Sequence, residues 1–380
     1  VAIVTAGRIL GFMAAGVGAA AAGGFAYAAR DVLPALGGRP DSATLLASPR
    51  FRDGAFHNPL RPRFLPEGSG QVAVRELVLG NRDRRPHGAV PLVPPAGPAP
   101  DTGVHVTWYG HASSLVELDG TRVLFDPVWS ERVSPSQAVG PRRLHPVPHR
   151  LTDLPRLDAI AISHDHYDHL DMATVVRLTE LQDAPFVVPL GVGAHLRRWN
   201  VPENRIVELD WGGSVEVAGA RLVATPARHF SGRGFARNNT LWLSWALLGD
   251  RHRVFYTGDS GYFDGYAAIG AEHGPFDATL VQVGAYFAAW PDIHMTPEEG
   301  VAAHRDVRGG LLLPIHWATF NLAPHPWADP ADRVWQAAKQ HGVALALPRP
   351  GERVDVAAPP PVDGWWQALA TPAGVSAHAA

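Results

Sequence analysis

The chain contains no cysteine. Disulfides, thiolate metal ligands and thiol nucleophiles are thereby excluded, and the redox compartment is left open. Lysine is almost missing as well: Lys339 is the only one among 33 basic residues. Together with the excess of Ala, Gly and Pro, this reads as a base-composition bias rather than a functional signature. Charge of either sign is also modest, at 18% of residues and a net −3. Such a balance offers no electrostatic footprint for nucleic acid, so no nucleic-acid partner is expected. No short-period repeat is visible. What is present is a chain of 380 residues, 46% of them hydrophobic, enough for one large or two modest globular domains with a sizeable core.

Ile9 to Ala29 carries no charged side chain over 21 residues, a length that could span a bilayer. Residues 1–30 are accordingly read as a membrane anchor, a cleaved signal ending near Ala26-Tyr-Ala28, or an Ala/Gly leader. The expectation is a membrane-associated protein of the bacterial cell envelope, with the side of the membrane left open. Residues 31–100 form a Pro- and Arg-rich N-terminal extension, with Pro91 to Pro100 as a linker or surface strap. Residues 101–350 hold the regular structure, and 351–380 read as a flexible C-terminal tail.

Within 101–350 the pattern predicts strands at Val104–Trp108, Ser114–Leu118 and Thr121–Phe125, the last two joined by the hairpin signal Asp119-Gly120. The Pro- and Arg-rich stretch Ser130 to Leu154 is a long irregular connection, with the basic loop Arg142 to Arg150 read as solvated. The apolar run Leu157–Ile162 reads as a buried strand, followed by a helix over Met172–Leu181, a strand over Phe186–Pro189 and a helix over Val192–Trp199. A second set repeats the theme: strands Ile206–Leu209, Val215–Val217, Arg221–Thr225, Leu241–Leu248 and Val254–Tyr256, then a helix over Tyr262–His273. Strand Ala278–Val283, helix Pro297–Arg305 and strand Leu311–Ile315 close it. Strands first and then alternating strands and helices, twice over, imply an α/β protein of two packed sheets with helices outside.

The densest chemistry is His164-Asp-His166-Tyr-Asp168-His169, placed where the strand ending at Ile162 discharges into a loop. In extended chain, residues two apart point the same way, so His164 and His166 can reach one ion. Asp168 and His169 follow the turn and can serve a second. Imidazole and carboxylate suit a borderline divalent cation such as zinc. Three distant residues share the strand-end context: His229 after Leu222–Arg228, Asp259 after Val254–Gly258, and His316 after Leu311–Ile315. Gly258 would permit the sharp turn before Asp259.

These residues resemble the metallo-β-lactamase superfamily, with its H-x-H-x-D-H loop and three distant ligands. Within it the chain is similar to the N-acyl-phosphatidylethanolamine-hydrolysing phospholipase D family and its bacterial relatives, from about Phe51 to His341. The motifs are Phe56-His-Asn-Pro59, Trp108-Tyr-Gly-His-Ala-Ser113, Asp126-Pro127, Ser134-Pro-Ser-Gln137 and Gly140-Pro-Arg142. Ile162 to Asp171, Gly258-Asp-Ser-Gly-Tyr262, Gly274-Pro-Phe-Asp277, Gly284-Ala-Tyr286 and Ile315-His-Trp317 complete them. The resemblance implies the αββα sandwich and two Zn2+ per chain. His164, His166 and His229 would hold one zinc, Asp168, His169 and His316 the other, with Asp259 bridging. It also places a histidine, here His294, near the leaving group. Ile293 stands where the mammalian enzyme carries an amide, a departure that leaves the substrate's polar contacts open.

Two zinc ions about 3.5–4 Å apart can share a hydroxide and clamp a phosphoryl oxygen. The expected activity is therefore phospholipase D-type hydrolysis of a phospholipid or other small phosphodiester, with Asp168 or Asp259 accepting a proton and His294 assisting. The same metals could instead open a lactone, amide or other ester, and a membrane-tethered metal-binding scaffold is the non-enzymatic reading. His111 and Asp126 are candidates for orienting ligands. Trp129, Tyr286, Phe287, Trp290, Trp317 and Phe320 are candidates for an acyl-chain groove at the mouth. A membrane is the expected partner, and a homodimer is left open.

Overall fold

The structure, a computed structural model, describes residues 32–66, 75, 83–234 and 236–370. The N-terminal apolar segment lies outside these residues. Among the described residues, no helix is long and apolar enough to cross a membrane.

Two seven-stranded mixed sheets form the protein, each an antiparallel meander continued by parallel strands. In the first, β3 (Val104–Gly110), β4 (Ser113–Leu118) and β5 (Thr121–Phe125) pair antiparallel through the turn at Asp119-Gly120. Parallel β6 (Ala159–Ala161), β7 (Phe186–Pro189) and β8 (Ile206–Leu209) extend it. In the second, β9 (Ser214–Val217), β10 (Ala220–Thr225), β11 (Ser244–Leu248) and β12 (Arg253–Tyr256) are antiparallel. Here β13 (Phe276–Gln282), β14 (Gly309–Ile315) and β15 (Ala344–Leu345) are the parallel continuation. A small hairpin, β1 (Phe51–Arg52) with β2 (Ala55–Phe56), precedes both.

Parallel neighbours need crossover connections. Between β5 and β6 the crossover is the long irregular segment 126–158; the others are the helices α1 (Met172–Leu181), α2 (Gly193–Arg198), α3 (Gly265–His273), α4 (Pro297–Asp306) and α5 (Asp329–His341). Strand alternation explains how the layers are held. In β5 to β7, Val123, Phe125, Ala159, Ala161 and Val187 join the core shared with the second sheet. Their neighbours Leu124, Ile160, Ile162, Phe186 and Val188 join Val175, Leu178 and Leu196 of α1 and α2 on the outer face. Both faces are buried, so these strands read as unbroken apolar runs. Local signals set the helix starts. Asp171 caps α1 by accepting from Ala173 N, and Thr296 with Glu299 forms a capping box before Pro297 of α4. The αL residue Gly342 ends α5.

Three expectations need correction. The strand predicted from Leu241 begins at Ser244, because Leu241 N and Leu243 N donate to Leu190 and Ser163 carbonyls of the first sheet instead. The region from Gly351 to 370 is not a flexible tail. Arg353–Asp355 is strand β16, paired to β3 at the edge of the first sheet, and the Trp366 ring is fully buried. Its indole N–H reaches Asp332 of α5, so two aromatic anchors and a strand outweigh the Pro/Ala composition. The basic loop 142–150 is not solvated throughout. Arg143 donates to the Ser130 and Val128 carbonyls beneath the Phe320 ring, while His145 and His149 are buried.

Candidate metal centre

Every candidate ligand sits at a strand's carboxyl end, on one edge of the sandwich. His164, His166, Asp168 and His169 follow β6, His229 follows β10, Asp259 follows β12 and His316 follows β14. The seven converge although up to 152 positions separate them (164 to 316). Donor atoms of His164, His166 and His229 lie within 4.8 Å of one another, as do those of His111, Asp168, His169 and His316. His164 Nε2 is 2.8 Å and His229 Nε2 3.3 Å from His166 Nδ1. Two donors about 2.0–2.1 Å from one tetrahedral zinc stand about 3.3 Å apart, so this spacing fits a shared ion. In the other set, His316 Nε2 and His169 Nε2 lie 3.2 and 3.6 Å from Asp168 Oδ2.

Asp259 stands between the sets. Its Oδ2 is 3.1 Å from His316, 3.2 Å from His169, 3.8 Å from His229 and 3.9 Å from His164, always to Nε2. Both carboxylate oxygens are buried with no hydrogen-bond partner, and His169 Nε2 is likewise unpartnered. Leaving such groups unmatched is costly, and a pair of cations between them would remove that cost. The donor set therefore fits the group it was expected to hold. Gly258, at φ 55°, makes the turn into Asp259 against Ser163, where a Cβ would stand 2.6 Å from the Ser163 Cβ.

Electrostatics point the same way. Burial, more than any neighbour, pushes the His164, His166 and His229 rings down, keeping them neutral with a lone pair free. For His316 burial is outweighed by Asp259 and Asp168, which raise it to about 9. His169 is raised in the same way by Asp259, Asp168 and Asp126. Burial would raise the Asp259 carboxyl, but the facing His169 and His316 rings hold it well below the usual range. The centre calls for positive charge, which bound protons or cations can supply.

Around the ligands lies a shell that orients them. Asp126, directly after β5, accepts from His169 Nδ1 at 2.7 Å, Tyr256 OH at 2.7 Å and Ser163 N at 2.7 Å. His111 Nε2 is 2.9 Å from Asp168 Oδ2, and burial, followed by the charge of His316, depresses its pKa to about 3. His111, Asp126 and His316 all have positive φ, a backbone strain gathered at this edge. His294 reaches the same place: its Nε2 is 3.8 Å from Asp259 Oδ2, and burial lowers it to about 4. The sequence reasoning left out Asn58, Ser163, Tyr256 and Asp292 as site residues. Asn58 and Ser163 touch ligands directly, Tyr256 and Asp292 act through Asp126 and through Arg63 and Arg228, and nothing local in the sequence marks any of the four.

Of the six aromatic residues, Trp317 and Phe320 line one cavity together with His111 and His316. Trp317 is a core residue, stacked on Trp108 with 5.6 Å between centroids, and Trp129 packs on Tyr109 while its indole N–H binds the His149 carbonyl. Tyr286 stacks on His325 and donates to Asp329. Phe320 packs edge-on against His111, and half-buried Phe287 and Trp290 contact each other. Trp317 is buried and Trp129 half-buried against these neighbours.

Residues 121–317 match the family model described as the beta-lactamase superfamily domain, just over half of the chain and all seven donors. The chain belongs to the beta-lactamase superfamily. It is 51% identical over 365 residues to an uncharacterized protein of Mycobacterium tuberculosis, covering 93% of this chain and 98% of the relative. It is 37% identical over 247 residues to N-acyl-phosphatidylethanolamine-hydrolyzing phospholipase D 1 of Caenorhabditis elegans, covering 62% of this chain and 69% of the relative. Among solved structures, a metallo hydrolase from Ignicoccus hospitalis superposes with a TM-score of 0.52 at 22% identity, covering 66% of this chain and 97% of that one. The two packed sheets are thus the metallo-β-lactamase fold, and the chain is a superfamily metallo-hydrolase related to the N-acyl-phosphatidylethanolamine-hydrolysing enzymes.

Proposed function

We propose that this superfamily member is a zinc-dependent phosphodiesterase that cleaves phospholipids of the N-acyl-phosphatidylethanolamine type on the phospholipase D side. Water would add to phosphorus as the P–O bond to the N-acylethanolamine breaks. The alcohol leaves with one proton and phosphatidate remains. The observation that carries this reading is the buried Asp259 carboxylate, its oxygens without a hydrogen bond, between two sets of imidazole and carboxylate donors. The relationship to the Caenorhabditis elegans enzyme supports the choice of substrate class.

His164, His166 and His229 would hold one ion, Asp168, His169 and His316 the other, with Asp259 between them. Ions bound there supply Lewis-acid stabilisation of a phosphoryl oxygen and a water that ionises near pH ~7. The chain's own residues do the rest. Asp126 and His111 fix the orientations of His169 and Asp168 through the hydrogen bonds above. Asp168 is the most exposed of the three carboxylates there, at 14% of its side chain, and is placed to accept a proton. His294, also partly open to solvent and neutral near pH 7, is placed to donate a hydrogen bond to the phosphate or the departing oxygen. A lipid substrate implies work at a membrane or micelle surface.

Metal analysis of the purified protein, paired with hydrolysis assays on N-acyl-phosphatidylethanolamine, phosphatidylcholine, an aryl phosphodiester and a set of lactones, tests the reading. Phosphodiester cleavage that disappears on chelation and returns with Zn2+ is expected. Activity that survives exhaustive chelation, or turnover of lactones alone, would overturn it.

A further inference from the structure

The family model begins at residue 121, yet the residue gripping His229 from outside comes from much earlier in the chain. Asn58 spans 171 positions to make two hydrogen bonds with the His229 backbone: its amide donates to the carbonyl at 2.7 Å, and its oxygen accepts from the N–H at 3.2 Å. An amide side chain matches both groups at once, with the donor and the acceptor on separate atoms; a carboxylate lacks the donor and an apolar side chain lacks both. The His229 ring is tied separately. Nδ1 lies 2.9 Å from the Ile293 carbonyl, and since a carbonyl only accepts, Nδ1 carries the proton and Nε2 keeps its lone pair toward His166 and Asp259.

Ile293 is itself anchored by the same N-terminal strap. Its neighbour Asp292, with 5% of its side chain exposed, accepts from Arg63 N at 2.8 Å, Arg63 Nε at 2.9 Å and Arg63 NH2 at 3.0 Å. Arg228, next to His229, reaches the same carboxylate at 3.0 Å. Leu65 N donates to the Ala289 carbonyl at 2.7 Å, and Phe56 N to the Asn238 carbonyl at 2.7 Å. The Phe64 ring meets Phe230, which packs on the His166 ring at 4.5 Å. The loops bearing Asp259 and His294 leave no slack between them, since a Cβ on Gly261 would stand 2.0 Å from the Asp292 carbonyl oxygen, and Gly261 N donates to the Arg228 carbonyl of the His229 loop at 2.9 Å.

We propose that the strap from Phe56 to Leu65 is a latch for the metal centre, with Asn58 and Arg63 as positioning residues that hold His229 in its ligating orientation and tautomer. The inference rests on the reading of His229 as a ligand. The latch would make the centre depend on a segment outside the catalytic domain proper, with Asn58 setting where the ring stands and Arg63, through Asp292 and Ile293, setting which nitrogen is bare.

The test uses the full chain and Zn2+ alone, titrated in competition with a chromophoric chelator, with thermal unfolding of the metal-free protein alongside. Outer partners of metal ligands are worth about 10- to 100-fold in affinity, so Asn58→Ala is expected to weaken one of the bound ions by about that factor. The metal-free melting temperature should fall only by the modest cost of two unmatched backbone groups, and the loss of ion affinity should come on top of it. Asn58→Asp keeps the acceptor but sets an oxygen against the His229 carbonyl, and should bind no better than Asn58→Ala. Arg63→Ala, at a side chain 70% exposed, should fold and show a smaller loss of the same ion. If His229→Ala loses that ion while both Asn58 variants bind like wild type, the latch is refuted and the ligand reading stands. An equal loss of metal-free stability in Asn58→Ala, with affinity unchanged, also refutes it. If His229→Ala binds Zn2+ as wild type does, the ligand reading itself falls and takes the latch with it.

Discussion

Replacing Asp126 by asparagine preserves its shape and removes one acceptor, which makes it a sharp probe of how the second half of the centre is held. The Asp126 Oδ2 takes the His169 Nδ1 at 2.7 Å, the Ser163 hydroxyl at 2.5 Å and the Tyr256 hydroxyl at 2.7 Å, while Oδ1 takes the Ser163 N–H at 2.7 Å. With asparagine, the amide nitrogen must stand in one of these two places. Hydroxyls can rotate away from it, but the His169 N–H and the Ser163 N–H cannot. One orientation therefore faces the backbone donor. The other drives the His169 proton to Nε2, the atom 3.2 Å from Asp259 whose lone pair an ion would need. An unmatched buried donor costs about 1–3 kcal/mol, which sets the expected loss of ion affinity at about 10- to 100-fold. Chelator competition with Zn2+ measures it, and circular dichroism shows that the fold survives. An affinity within about threefold of wild type, below what such partners contribute, would reduce Asp126 to a strand-end cap and refute the reasoning.

Asp168→Ala and His229→Ala should each abolish phosphodiester hydrolysis while leaving the circular dichroism spectrum unchanged; an unaltered cellular role in such variants would favour a scaffold over an enzyme. Trp366→Ala empties a fully buried ring site in the C-terminal region and should cost about 3–5 kcal/mol in a denaturant titration, whereas a dispensable tail would show no change. Asp119, in the β4–β5 turn, binds Gly103 N, His252 and Arg251 across the far end of the sandwich. Burial alone would raise its carboxyl, but the His252 and Gly103 hydrogen bonds win and lower it. Its contribution is therefore full above the unfolded value of about 4 and is lost as pH falls through the lowered one. Asp119→Asn should destabilise the protein at neutral pH, with the difference from wild type shrinking in melts taken at increasingly acid pH below the unfolded value.

Much of this architecture is legible locally. The alternation in β5 to β7, the Asp119-Gly120 turn, the cap at Asp171 and the proline opening α4 are all signals carried within a few residues, because backbone geometry repeats every two or 3.6 positions. The ligand loop is legible for the same reason, since four donors fall within six positions after one strand end. Helix α5, absent from the predicted elements, carries local markers too, with Pro330 at its start and Gly342 beyond its end.

Sequence by itself determined the donor chemistry: histidine and aspartate without cysteine, at strand ends, in a pattern shared with a known superfamily. Only the tertiary structure decided who holds those donors. Asn58 with His229, Asp126 with Tyr256, and Trp366 with Asp332 join residues 171, 130 and 34 positions apart. Contacts of that kind follow from how two sheets stack and where loops land, and no periodicity along the chain encodes them. The same reason decided that Trp317 is buried among Trp108, Trp365 and Trp366: an aromatic side chain looks alike in sequence whether it faces solvent or a neighbouring ring.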